Sequence, residues 1–186
     1  TEILNGDIHT ANQNMAGLET RDQAKTFIYA LLYGAGDAKI GSVVNGTAKD
    51  GKALRERFLS NLPSFSRLRE AVVHKGTTEG RLRAIDGRQI VVRHPHASIN
   101  TLIQGSSAVL MKKWFMNTAA TMKARKTGAK LVAMVHDEMV IECGKESIDS
   151  VSDCVKIAIS QVNQEYNLRC KLDCDVQIGN NWSEIH

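Results

Sequence analysis

Apolar residues recur every three or four positions through the first part of the chain. Thr20 and Gln23 have the form of a capping box, so the spacing predicts a helix through "RDQAKTFIYALLY" that the glycines of "GAG" at 34–36 stop. A second helical pattern lies in 50–75, carrying Leu54, Phe58 and Leu62 and, past Pro63, Phe65, Leu68 and Val72. From residue 81, "RLRAIDGRQIVVR" offers two short extended runs around Asp86-Gly87, a favoured two-residue hairpin turn. Ile99, Leu102, Ile103, Val109, Leu110 and Trp114 then predict a long helix from about Ser98. "KLVAMVHDEMVIEC" reads as strand, tight turn, strand, and Leu131 to Val135 is apolar throughout, which predicts a buried strand. Ile148, Val151, Val155, Ile159, Val162 and Tyr166 mark an amphipathic helix over 146–167, and "CKLDCDVQIG" alternates as a closing strand. The expected class is α+β, with a helical part over 1–97 that ends in the hairpin and an antiparallel sheet with packed helices over 98–186.

Composition changes this picture little. A hydrophobic fraction of 42% suits a globular chain, and a net charge of +4 permits a polyanionic partner without demanding one. Cys143, Cys154, Cys170 and Cys174 lack the spacing and the nearby histidines of a zinc site, so free thiols in a reducing compartment are expected. No apolar run reaches the ~18–20 residues of a membrane helix and the start lacks a signal-peptide layout, which predicts a soluble, cytoplasmic protein without a membrane partner. "TEILNGDIHT" reads as the middle of a longer protein.

Three constellations carry candidate chemistry. Arg21, Lys25, Tyr29 and Tyr33 stand four apart and so share one slowly drifting helix face. Two cations near a helix N-terminus suit phosphates, and two rings further on suit a sugar or base. The same spacing also suits a surface helix with solvated cations and tyrosines that cap a core. Asn100 and Gln104 stand four apart beside Gly105, Ser106 and Ser107, where amides can read base edges and small neighbours admit a bulky partner; solvent-facing polar residues would look alike. His136, Asp137 and Glu138 interrupt the strand pair, and a carboxylate at a strand end can hold a hard cation such as Mg²⁺. A charged turn with no such role has the same appearance.

Together these residues resemble the family A DNA polymerases, the class of bacterial DNA polymerase I, in the form of the replicative enzymes of short-tailed phages. Arg21, Lys25, Tyr29, Tyr33 and Gly34 fill the family's fingers motif R-x3-K-x3-(F/Y)-x3-Y-G. "DIHTAN" with His9 is similar to the D-x-H segment, Asn100 and Gln104 to the N-x3-Q palm helix, and His136, Asp137 and Glu138 to the H-D-E hairpin. "GNNWSEIH" resembles the C-terminal G-x-N-W ending, and Ile85-Asp86-Gly87-Arg88 the family's "LDGR".

The resemblance implies template-directed DNA synthesis from dNTP onto a primer by a two-metal mechanism, with DNA primer-template and dNTP as partners. It implies that His9, Arg21 and Lys25 contact the triphosphate, that Lys25 protonates departing pyrophosphate, and that Tyr29 packs on the sugar and rejects dideoxynucleotides weakly. Tyr33 would guard the template base, while His96, Asn100, Gln104 and His136 would contact primer-template, His96 standing where bacterial members carry Arg. Asp137 would hold Mg²⁺ with Glu138 in support; of the two ions, a second aspartate ligand is expected outside this chain. The motif D-Y-S-x-x-E-x-R that supplies it is absent, which implies a missing N-terminal part, where the family carries its thumb, early palm and proofreading exonuclease, and a fragment inactive alone. A non-catalytic module that grips nucleotide or primer-template shares every one of these residues.

Overall fold

The structure is a computed structural model that describes residues 6–185. The chain forms two compact units, one ending at Ser106 and the other starting at Ser107, so the boundary falls inside a long helix. Both are mixtures of helices and small antiparallel hairpins, and the class is α+β. No helix among the described residues is long and apolar enough to cross a membrane.

The first unit opens with α1 (Ile8–Ala16) and α2 (Arg21–Leu32). The capping box that starts α2 is complete: Gln23 N–H donates to Thr20 Oγ1 at 3.1 Å and Thr20 N–H donates to Gln23 Oε1 at 3.2 Å. A short α3 (Asp37–Gly41) follows, then α4 (Ala48–Asn61) and α5 (Pro63–Thr78). The helical pattern over 50–75 is thus two helices, because Pro63 opens a new first turn and disfavours helical backbone at Leu62. Ala16, Leu18, Ala24, Phe27, Leu31, Ile40, Leu54 and Phe58 make the core, in which the Phe27 and Phe58 rings meet edge to face at 5.2 Å. Burying one such ring contributes about 1.5–3 kcal/mol.

The first hairpin pairs β1 (Arg81–Arg83) with β2 (Gln89–Val91) in the register Leu82 to Ile90. Its loop is Ile85-Asp86-Gly87, one residue longer than expected: Ala84 N–H donates to Arg88 O at 2.8 Å and Gly87 N–H to Ala84 O at 2.9 Å. Gly87 at φ 88° completes the three-residue turn with a bulge, which an Asp-Gly pair serves as well as it serves a two-residue turn. Leu82 and Val92 pack with Val72 and with Ile99 at the start of α6 (Ser98–Ala124).

The second unit holds the rest of α6, the hairpin of β3 (Lys130–Val135) and β4 (Glu138–Glu142), and α7 (Ile148–Glu165). Met111 and Trp114 of α6 pack on Val155, Ala158, Ile159 and Val162 of α7, and Trp114 Nε1–H donates to Val155 O at 3.0 Å. Leu131, Ile141 and Cys143 join Met122, Val151 and Cys154 in an adjoining cluster.

Two strand expectations fail here. β3 is not a buried strand: its register with β4 is irregular between Leu131 and Ala133, Val132 there is 60% exposed, and Met134 and Val135 beside the turn are exposed as well, because a two-stranded hairpin has few neighbours within this unit to cover it. Residues 171–179 form no ladder among the described residues, and their alternating Leu172, Val176 and Ile178 stay partly exposed. An alternating pattern specifies a strand only where a neighbour takes up its backbone groups. What pins the segment is Asn163, whose Nδ2–H donates to Leu172 O and whose Oδ1 accepts from Leu172 N–H, both at 2.8 Å.

Candidate functional site

Helix α2 sorts its residues by face. Ala24, Phe27 and Leu31 are buried, whereas Arg21, Lys25, Tyr29 and Tyr33 are exposed along the opposite side. The tyrosines do not cap the core. Their rings lie 19° from parallel with centroids 6.2 Å apart, a stacked surface one and two turns beyond Lys25.

At the N-terminal end of that face, Arg21 Nε–H donates to Asp7 Oδ2 at 2.6 Å and Nη2–H to Asp7 Oδ1 at 3.3 Å. Asp7 is also the N-cap of α1, accepting from His9 N–H at 2.9 Å and from Thr10 Oγ1–H at 3.0 Å. The Arg21 hydrogen bond foremost, with help from Thr10 and the backbone, holds the Asp7 carboxyl well below the usual carboxylate range, and Asp7 in turn raises the Arg21 guanidinium. His9 Nδ1 is buried without a partner among the described residues. Asp7 thus ties the Arg21 side chain to the backbone at His9. A sequence signal for the cap was present: Asp7 is an N-cap residue type standing directly before the apolar Ile8.

At the other end, Gln104 Nε2–H donates to Tyr33 Oη at 3.3 Å. The backbone beside it is close: a Cβ on Gly34 would stand 2.6 Å from His96 O. His96 is exposed, its ring 5.7 Å from that of His94. Asn100, one turn before Gln104 on α6, leaves its buried Oδ1 without a hydrogen bond among the described residues. The first and second constellations therefore meet through Tyr33 and Gln104, within the first unit.

The third constellation belongs to the second unit. His136 and Asp137 form the two-residue turn between β3 and β4, and Glu138 begins β4 opposite Val135. His136 has φ 53°, the left-handed backbone that the first position of a tight two-residue hairpin turn requires, here adopted without glycine at a cost on the order of 1–2 kcal/mol. Asp137 is exposed at the tip and Glu138 half-buried. Adjacent carboxylate oxygens are the hard donors a Mg²⁺ ion takes together with phosphates. Among the described residues no three His, Cys, Asp or Glu side chains converge on a metal position, and neighbouring strand residues project to opposite sides, so an ion at Asp137 would need further ligands from substrate or another segment.

Comparison with known proteins agrees along the whole chain. The family model for DNA polymerase family A matches residues 4–184. The DNA-directed DNA polymerases of Enterobacteria phage T3 and Escherichia phage T7 are each 39% identical over 100% of this chain and 29% of their own length. DNA polymerase I of Bacillus caldotenax is 26% identical over 95% of the chain and 21% of its own. The chain therefore spans less than a third of the length of these relatives. Among solved structures, the POL domain of Pol1 from M. smegmatis, in complex with DNA primer-template and dNTP, has a TM-score of 0.77 at 19% identity over 84% of this chain and 31% of its own.

Proposed function

The chain belongs to DNA polymerase family A, and on that premise we propose that it is the part of a polymerase that binds dNTP and the primer-template and supplies one side of the catalytic metal site. The observation that carries this reading is the exposed Arg21–Lys25–Tyr29–Tyr33 face, clamped by Asp7 at one end and tied to Gln104 at the other. Its cations lie in the first turns of α2, where the helix dipole adds to the attraction for a triphosphate. The stacked tyrosines offer apolar surface at a height suited to sugar and base. In the reaction the primer 3′-OH attacks the α-phosphorus and pyrophosphate leaves, so the groups that matter orient phosphates and neutralise their charge. Arg21 and His9 hold the triphosphate, and Lys25 neutralises it and delivers a proton to the leaving pyrophosphate. Tyr29 packs on the sugar, and Tyr33 guards the template-base position until a nucleotide arrives. His96, Asn100, Gln104 and His136 contact primer-template.

Polymerases of this family use divalent metal ions, and Asp137, with Glu138 beside it, is the proposed Mg²⁺ ligand on this chain. Two such ions would act as Lewis acids on the reacting phosphate. A second aspartate ligand comes from a part of the polymerase outside this sequence. Two facts support a role inside a larger polymerase: the relatives are more than three times as long, and the second unit leaves Val132, Val176 and Ile178 uncovered. In this reading residues 1–97, with the first hairpin, are the fingers, and residues 98–186 are the later half of the palm.

The test is primer extension by the chain alone and assembled with the remainder of a phage-type polymerase. The chain alone is expected to be inactive. In the assembly, Asp137→Ala is expected to lower incorporation by at least 10³-fold, in the range of an essential charge-stabilising group, while primer-template binding by gel shift persists. Robust incorporation by the isolated chain, or joint loss of binding and synthesis in Asp137→Ala, would sink the assignment and favour a non-catalytic binding module.

A further inference from the structure

We propose that Asp7 is a positioning residue for the phosphates of the incoming nucleotide, acting through Arg21; this rests on the proposed role of the α2 face. A guanidinium has five N–H donors. Asp7 takes one on Nε at 2.6 Å and one on Nη2 at 3.3 Å. Three remain, and the edge between Nη1 and Nη2 is itself a two-donor fork that matches two oxygens of a phosphate. The carboxylate that holds Arg21 is in turn held, by His9 N–H at 2.9 Å and Thr10 Oγ1 at 3.0 Å. The free edge of Arg21 is therefore fixed relative to the first turns of both α1 and α2. A long side chain loses its rotamer freedom when this contact forms on folding, not when nucleotide binds, which favours binding.

The carboxylate also has an opposite capacity. Its negative charge repels phosphates, and it could compete with them for Arg21. The two roles predict opposite signs when Asp7 is removed. The fork geometry favours positioning, because Asp7 occupies the Nε side and leaves the end-on edge open, so phosphate and carboxylate can be bound at once.

The test uses the 186-residue chain with two probes, dATP and inorganic tripolyphosphate, measured by calorimetry. The variants are Asp7→Ser, Arg21→Ala and the pair combined. Serine keeps a helix-capping oxygen but cannot reach Arg21, and Asp7→Asn is a second capping variant should the serine chain prove unstable. In the unsubstituted chain the Arg21 Nε–H resonance is expected to exchange slowly with water, and in Asp7→Ser to exchange fast. Asp7→Ser is expected to bind tripolyphosphate about tenfold more weakly and to add nothing to the loss caused by Arg21→Ala. Equal or tighter binding by Asp7→Ser overturns the proposal and makes Asp7 a competitor or a bystander. A loss of the same size in the Arg21→Ala background also overturns it, since Asp7 would then act through the α1 cap. If the unsubstituted chain binds neither probe, the proposed function of the α2 face fails, and this inference with it.

Discussion

The α2 face and the β3–β4 hairpin each expose the side chains expected to do chemistry, and they hold them in different ways. On α2, the exposed residues at both ends are tied by others: Arg21 to Asp7, Tyr29 to Tyr33 by stacking, and Tyr33 to Gln104. Behind them lies a core of eight buried residues from α1 to α4. At the hairpin, Asp137 stands exposed at a turn that begins with a left-handed His136, and the strand leading to it shows Val132, Met134 and Val135 to solvent. The first region is pre-organised by its own contacts, which suits the nucleotide-binding role proposed for it. The second presents a carboxylate and an apolar strand face whose partners this unit does not contain.

The largest expected effect tests whether the α2 face depends on what lies behind it. Phe27 is fully buried and meets Phe58 edge to face, so Phe27→Ala should destabilise by about 3–5 kcal/mol. Ile159 in the second unit is similarly buried, and Ile159→Ala should cost about 2–5 kcal/mol. Urea denaturation measures both. Tripolyphosphate affinity at concentrations where each variant is still folded then separates them: Phe27→Ala should weaken it and Ile159→Ala should not. Equal weakening by the two would break the contrast between regions.

Two glycines sharpen the contrast further. Gly34 has φ 75°, and an added Cβ would stand 2.6 Å from His96 O; Gly128 has φ 72° with nothing within 4 Å. Alanine at Gly128 should cost about 1–2 kcal/mol for the left-handed backbone, and alanine at Gly34 more than that because its Cβ also meets the His96 carbonyl. Asparagine tolerates that backbone, so Gly128→Asn should recover most of the loss, whereas Gly34→Asn should recover little because its Cβ still meets a carbonyl. Thermal melts of the four variants decide it. Full recovery at Gly34 would mean that α2 is not packed tightly on the residues before α6.

Where a local signal was self-sufficient, the sequence was legible. Thr20 and Gln23 announced the start of α2, Ser98 the start of α6, and the apolar runs either side of His136-Asp137 a hairpin. The misses came where a partner decides the outcome. "CKLDCDVQIG" has strand periodicity, but a strand needs a neighbour to exist, and here the segment is held by Asn163 on Leu172 and by Cys174 packing on the α7 cluster instead of by a ladder. Leu131 to Val135 is apolar at every position, yet periodicity does not say whether one face or two will be covered. α1 was not foreseen because its apolar positions are few, and with it the link from Asp7 to Arg21 was missed, being a contact between residues 14 apart. The residue types of the candidate site were readable from spacing and resemblance; how they are held was not.

The smallest expected effect concerns the open face of β3. Val132 is 60% exposed, while the adjacent Leu131 points to the cluster of Met122, Val151 and Cys154. Threonine is nearly isosteric with valine and equally suited to a strand, so Val132→Thr should change stability by no more than about 0.5 kcal/mol. Leu131→Ala, at the neighbouring half-buried position that packs on that cluster, should cost about 2 kcal/mol. Denaturation midpoints of the two variants measure the difference. If Val132→Thr proved as costly as Leu131→Ala, both faces of β3 would have to be covered in this chain, and the hairpin would no longer differ from α2 in depending on partners outside its own unit.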